Sequence, residues 1–122
     1  MIGYVTLGTN DFKRACTYYD ALLGAMGAKR TMDFGTFVLW GTKPGAPMLA
    51  ITLPYDKKPA TVGNGVMVAL GAGSKENVDK LYKKAIELGG TDEGKPGPRG
   101  DGFYAGYFRD LDGNKLNFFH MG

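Results

Sequence analysis

The sequence predicts an α+β fold built from two tandem β-α-β-β-β modules, forming a curved mixed sheet around a cleft with the helices on the outer face. Three observations predict it. Short β-prone stretches alternate with two amphipathic helical stretches. Twenty glycines in 122 residues fall at the ends of those stretches, as many short elements joined by tight turns require. The chain also repeats itself at an offset of 63 residues.

The elements follow in order. Ile2 to Gly8 alternates, with Val5 and Leu7 on one side and Tyr4 and Thr6 on the other. Asn10 then offers a helix N-cap, and Phe12, Ala15, Cys16, Tyr19, Leu22, Leu23 and Met26 recur at helical spacing up to Gly27. Three strands are expected near Lys29 to Phe34, Phe37 to Gly41 and Met48 to Leu53, separated by Gly35 and by Lys43-Pro44-Gly45.

In the second half the offset carries Tyr4 to Met67, Val5 to Val68, Leu7 to Leu70, Tyr19 to Tyr82 and Gly27 to Gly90 without a gap. A strand from Gly65 to Gly71 therefore precedes a helix capped near Gly73 or Ser74, with Val78, Leu81, Ala85 and Ile86 as its buried stripe and Gly89-Gly90 as its end. Thr91 to Gly102 is too rich in glycine, proline and charge for a core strand and reads as a flap or an edge. Phe103 to Arg109 and Lys115 to His120 close the module, joined by a tight turn at Asp110-Leu111-Asp112-Gly113-Asn114. The organisation is one domain over residues 1–122, with module one at about 1–60 and module two at about 61–122.

Composition narrows the function. A net charge of +3 without a basic block argues against nucleic-acid binding. The N-terminal stretch has neither a basic leader nor a long apolar run, and no stretch is long enough to span a bilayer, so a cytoplasmic protein without membrane contact is expected. The single cysteine, Cys16, lies on the apolar helix side and fits a buried thiol in a reducing compartment; no histidine partner marks it as a nucleophile. Gly94-Lys95-Pro96-Gly97-Pro98-Arg99-Gly100 lacks the ending of a phosphate-binding loop, and Asp110 with Asp112 lacks the further ligands of a calcium loop.

The segments YVTLGTND, FKRACTYYDALLGAMG, VMVAL and YFRDLDGNKLNFFH, taken in this order, resemble the glyoxalase and bleomycin-resistance branch of the vicinal oxygen chelate superfamily, which also includes extradiol dioxygenases. The resemblance spans nearly the whole chain, and its most specific part is Arg109 to Asn114, where Leu111 stands in place of a common proline. It implies a metal held by histidine, glutamate or glutamine from the first and last strands of each module. The matching positions here are Tyr4, Met67 and Asn117, with a fourth somewhere on Met48 to Leu53, where no histidine or carboxylate occurs. Methionine, neutral asparagine and an un-ionised phenol are poor ligands for hard divalent ions, so neither a metal nor another cofactor is expected. His120, three residues after Asn117, points to the opposite face of its strand.

The leading expectation is a metal-free cleft for a small amphipathic or aromatic molecule, lined by Tyr4, Trp40, Met67, Tyr104, Tyr107, Asn117 and Phe119. Ordinary core packing competes for each aromatic, for Trp40 and Phe119 above all. One alternative is a metal-independent lyase or isomerase with Tyr4 as proton donor, Asn117 as oxyanion partner and Arg99 as a supporting cation. Another is a metal-dependent lyase or dioxygenase of the same superfamily. A third is an interaction module, because the resemblance implies a homodimer.

Overall fold

The computed structural model describes residues 1–122. Its element order is β1 (Tyr4–Gly8), α1 (Phe12–Gly24), β2 (Lys29–Asp33), β3 (Phe37–Gly41), β4 (Met48–Thr52), β5 (Val68–Gly71), α2 (Lys75–Glu87), β6 (Thr91–Pro98), β7 (Phe103–Arg109) and β8 (Lys115–Met121). This is the predicted β-α-β-β-β pattern, repeated. The strands form two four-stranded mixed sheets, one in each of two compact units, Met1–Thr61 and Val62–Gly122.

In the first unit the strand order is β1-β4-β3-β2, with β1 parallel to β4 and the remaining pairs antiparallel. The register aligns Val5, Leu49 and Trp40, and likewise Leu7, Ile51 and Val38, on one face. That face carries α1, because the Trp40 indole N–H donates to Asp20 of the helix at 3.0 Å. The helix buries Ala15, Cys16, Tyr18, Tyr19, Leu22 and Leu23. Each fully buried aliphatic residue such as Leu22 or Ile51 contributes roughly 2 kcal/mol relative to exposure. Burial of Cys16 pushes its thiol pKa up, and Arg30 nearby opposes the shift.

The expected cap at Asn10 is corrected by one residue. Asp11 is the N-cap, accepting from the Arg14 amide at 3.1 Å. Asn10 instead clamps the segment after β4: its Oδ1 accepts from the Ala60 amide at 2.6 Å and its Nδ2 donates to the Ala60 carbonyl at 3.1 Å. Both residues are typical caps, and the tertiary bonds to Ala60 decide between them.

In the second unit the order is β5-β8-β7-β6, again with one parallel pair, β5 with β8. Here Ser74 caps α2 by accepting from the Asn77 amide at 3.1 Å, as expected. Leu116, Phe118 and Phe108 form the core under α2, with the two phenylalanine rings stacked at 5.4 Å. The segment read as a flap or an edge is the edge strand β6. Its pairing to β7 shifts register between Asp92 and Gly94 and again between Gly94 and Gly97, and prolines are tolerated there because an edge strand has a free side.

The β7–β8 turn is organised by one carboxylate. Asp110 Oδ1 accepts from the amides of Asp112 and Asn114, both at 2.9 Å, and Oδ2 accepts from Asn114 Nδ2 at 3.0 Å. Gly113 supplies the φ of +88° that the turn needs. No helix is long and apolar enough to cross a membrane.

Candidate functional site

Each sheet carries a helix on one face, so residues of opposite parity line a helix-free face. In the first sheet these are Tyr4, Thr6 and Gly8 on β1, Met48, Ala50 and Thr52 on β4, and Phe37 and Leu39 on β3. In the second they are Ala69 and Gly71 on β5, Lys115, Asn117 and Phe119 on β8, and Phe103, Ala105, Tyr107 and Arg109 on β7.

The register also aligns the two modules strand by strand. Thr6 lies opposite Ala50, which lies opposite Leu39; the repeat carries Thr6 to Ala69, which lies opposite Asn117, which lies opposite Tyr107. The position in module one equivalent to Asn117 is therefore Ala50. Sequence alone could not locate it, because the β6–β7 hairpin differs in length from β2–β3 and the repeat offset breaks there.

The resemblance matches Tyr4 in the first unit, where the register adds Ala50, and Met67 and Asn117 in the second. A phenol with a methyl group, and a thioether with an amide, each suit a hard divalent ion poorly. No three His, Cys, Asp or Glu side chains gather anywhere into a group able to hold a metal. His120 pairs with Tyr104 on the helix side of β8, away from Asn117.

The expected binding residues separate into three sets. Trp40 and Tyr104 stand on the helix-bearing faces. Trp40 is 2% exposed, bonded to Asp20 and 6.0 Å from the Tyr19 ring; Tyr104 donates its hydroxyl to Asp79 of α2 at 2.7 Å. That bond raises the Tyr104 pKa. Both are corrections to the expected lining: strand parity puts them under helices. Tyr107, Asn117 and Phe119 do share the helix-free face of the second sheet. There Phe119 stacks on Phe103 at 5.7 Å, and Tyr107 has the Arg99 guanidinium 5.4 Å and the Lys115 ammonium 5.6 Å from its ring centre. Arg99 therefore serves Tyr107. Asn117 is 1% exposed, and its Oδ1 is the one buried side-chain polar atom without a hydrogen-bond partner.

Tyr4 and Met67 lie at the exposed margins. Tyr4 meets the Phe37 ring edge-on at 5.9 Å. Met67 lines a shallow recess of about 470 Å³ with residues 62–66, Arg109 and Lys115. Arg109 is engaged there, donating to Glu93 at 2.6 Å.

The first unit holds a larger recess that the sequence did not reveal. It has a volume of about 1070 Å³ and lies between the helix-free face, at Thr6, Gly8, Phe37 and Thr52, and the segment Leu53 to Thr61. Gly8 lets the segment pass close to β1, since a Cβ there would approach the Ala60 Cβ to 3.0 Å. Thr52 Oγ1 lies within hydrogen-bond distance of the Thr36 and Leu53 carbonyls, and the Asn10 clamp on Ala60 anchors the far end of the segment. The lining includes Thr6, Thr36, Thr52 and Thr61 along with Phe37 and Tyr55. The only charges in the lining are Asp56 and Lys57, and Lys57 takes a left-handed backbone, φ +64°. The signal for this site was the parity of Thr6, Phe37 and Thr52, which the sequence shows, joined to a loop path that it does not.

Two repeated β-α-β-β-β units, each with a helix-free sheet face, define the class of protein. The model of the Glyoxalase/Bleomycin resistance protein/Dioxygenase superfamily matches residues 1–118, and the chain belongs to that superfamily. Among solved structures, it is similar to a glyoxalase/bleomycin resistance protein from Albidiferax ferrireducens T118, with 36% identity over 100% of this chain and 99% of that one and a TM-score of 0.90. Similarity of fold alone extends to a putative glyoxalase from Bacillus halodurans (21% identity, 98% and 94% covered, TM-score 0.79) and a lactoylglutathione lyase from Agrobacterium tumefaciens (22%, 98% and 92%, TM-score 0.72). No curated protein matches the chain.

Proposed function

We propose that the protein binds a small amphipathic or aromatic molecule on a helix-free sheet face, without a metal ion. The observation that carries this reading is the recess of about 1070 Å³ on the first sheet, whose lining mixes aromatic surface with hydroxyl groups. Ligand sites combine apolar walls with a few polar groups in this way. Phe37 supplies stacking surface, continued outward by Tyr4, and Thr6, Thr52 and Thr61 supply polar contacts. The donor set Tyr4, Ala50, Met67 and Asn117 supports a metal-free site.

The test is a ligand-observed NMR screen of small aromatic and amphipathic compounds against the wild type, repeated on Phe37→Ala. Hits that weaken about tenfold or more in Phe37→Ala, the scale of losing one aromatic contact, support the reading. A screen without hits, or hits indifferent to Phe37, overturns it.

A homodimer is favoured by one feature. Edge strand β1 and the residue pair ahead of it expose Ile2, Tyr4 and Val5, an apolar edge of the kind that proteins cover by pairing. Light scattering coupled to size exclusion tests it, and a clean monomer at micromolar concentration removes it.

A further inference from the structure

We infer that the helix-free face of the second sheet is a separate subsite for a small molecule carrying both an anionic group and an O–H or N–H donor. Three independent features of that face set the chemistry.

The first is the acceptor. Asn117 lies in the middle of β8 between Ala69 and Tyr107, and its buried Oδ1 has no donor. A buried amide oxygen is retained at a cost unless something supplies the missing hydrogen bond. Ala69 has no polar side-chain atom to offer.

The second is charge. Lys115 stands two residues from Asn117 on the same face, and Arg99, the residue after β6, reaches the same Tyr107 ring. Neither cation has a carboxylate partner: Lys115 rests on the ring, and Arg99 donates only to the carbonyls of Lys95 and Pro98. Glu93, on the neighbouring strand β6, is already held by Arg109. An anion placed beside Tyr107 therefore meets two uncompensated cations.

The third is the apolar floor. Tyr107 and Phe119 flank Asn117 on the neighbouring positions of the face, giving a flat molecule aromatic surface on which to lie while its two polar ends are engaged. Lys115, on the same face two residues from the buried oxygen, is held by a ring and no ion pair.

The probe is 4-hydroxybenzoate, with benzoate lacking the donor and phenol lacking the charge, titrated against the full chain by two-dimensional amide NMR. The expected result is that 4-hydroxybenzoate shifts the Asn117, Tyr107 and Lys115 resonances and binds about tenfold more tightly than either analogue. Asn117→Leu should erase its advantage over benzoate, and Lys115→Met its advantage over phenol. Equal binding of the three probes, no saturable shift at millimolar probe, or shifts confined to Thr6 and Thr52 of the first sheet would each overturn the subsite. The last outcome would leave the first-sheet recess standing, and the other two do not bear on it.

Discussion

Trp40 and Asp20 are joined across the helix–sheet boundary of the first unit: the indole N–H donates to Asp20 Oδ1 at 3.0 Å, and the same carboxylate takes a two-pronged grip from Arg30 at 2.9 and 2.8 Å. The bonds from Arg30 and then Trp40 hold the Asp20 carboxyl below its ordinary value, against the opposing effect of burial. A lowered carboxyl pKa means stability that is present above the unfolded value near 3.9 and lost as pH falls through the folded one. Asp20 is 45% exposed, so solvent screens the ion pair, and the loss in Asp20→Ala comes mainly from the orphaned indole N–H, about 1–2 kcal/mol. Urea denaturation should show that difference at neutral pH and a smaller one at about pH 3.

Tyr82 on α2 donates its hydroxyl to Asp92 of β6 at 2.6 Å. Burial first, and that bond second, push its pKa up to about 12. The protonated phenol is favoured in the folded protein, so its contribution is complete below the unfolded value of about 10 and is lost as pH rises through about 12. Ultraviolet titration of the tyrosinates should show a late-titrating phenol that disappears in Tyr82→Phe. A Tyr82→Phe curve superimposable on the wild type would contradict the bond.

Asp110 replaces missing chain contacts in the β7–β8 turn with three accepted hydrogen bonds from a 5%-exposed carboxylate. Asp110→Ala strands the Asp112 and Asn114 amides and should cost about 3 kcal/mol in denaturant midpoint analysis, whereas alanine at exposed Asp101 should cost under about 0.5 kcal/mol.

These residues also show what a sequence can reveal here. The helices were legible because both stretches place apolar residues at helical spacing, and the repeat carries Phe12–Gly24 onto Lys75–Glu87 in register. Strand parity was legible too, which is why Asn117 and His120 separate correctly onto opposite faces. What failed was choosing isolated aromatics by residue type without applying parity to them. Trp40 and Tyr104 have the composition of a binding site but bond to Asp20 and Asp79 on the helices, partners 20 and 25 residues away whose reach no local pattern states. The first-sheet recess was hidden for the same reason, since it depends on where Asn10 anchors Ala60, 50 residues on.

Metal analysis of the purified, untagged chain tests the donor set directly. Because Tyr4, Ala50, Met67 and Asn117 supply no imidazole or carboxylate, zinc, nickel, manganese and ferrous iron should bind far below one equivalent, and calorimetric titration should show no tight site. Near-stoichiometric metal lost on Asn117→Leu would mean that the amide ligates after all.

Asn117→Leu should itself stabilise the unliganded protein. Leucine has nearly the shape of asparagine, and the site is buried among Ala69, Tyr107 and the flanking strand positions of the second sheet. Substitution removes an acceptor that has no donor, relieving a desolvation cost of about 1–3 kcal/mol. The gain should appear as a higher denaturant midpoint with an unchanged slope, because the surface exposed on unfolding is the same. Asn117→Asp provides the opposite sign, since it buries a charge at the same place and should destabilise at neutral pH by more than the leucine gains. A leucine variant weaker than the wild type would mean that Asn117 already has its partner in solution, and would remove the acceptor on which the second-sheet subsite depends.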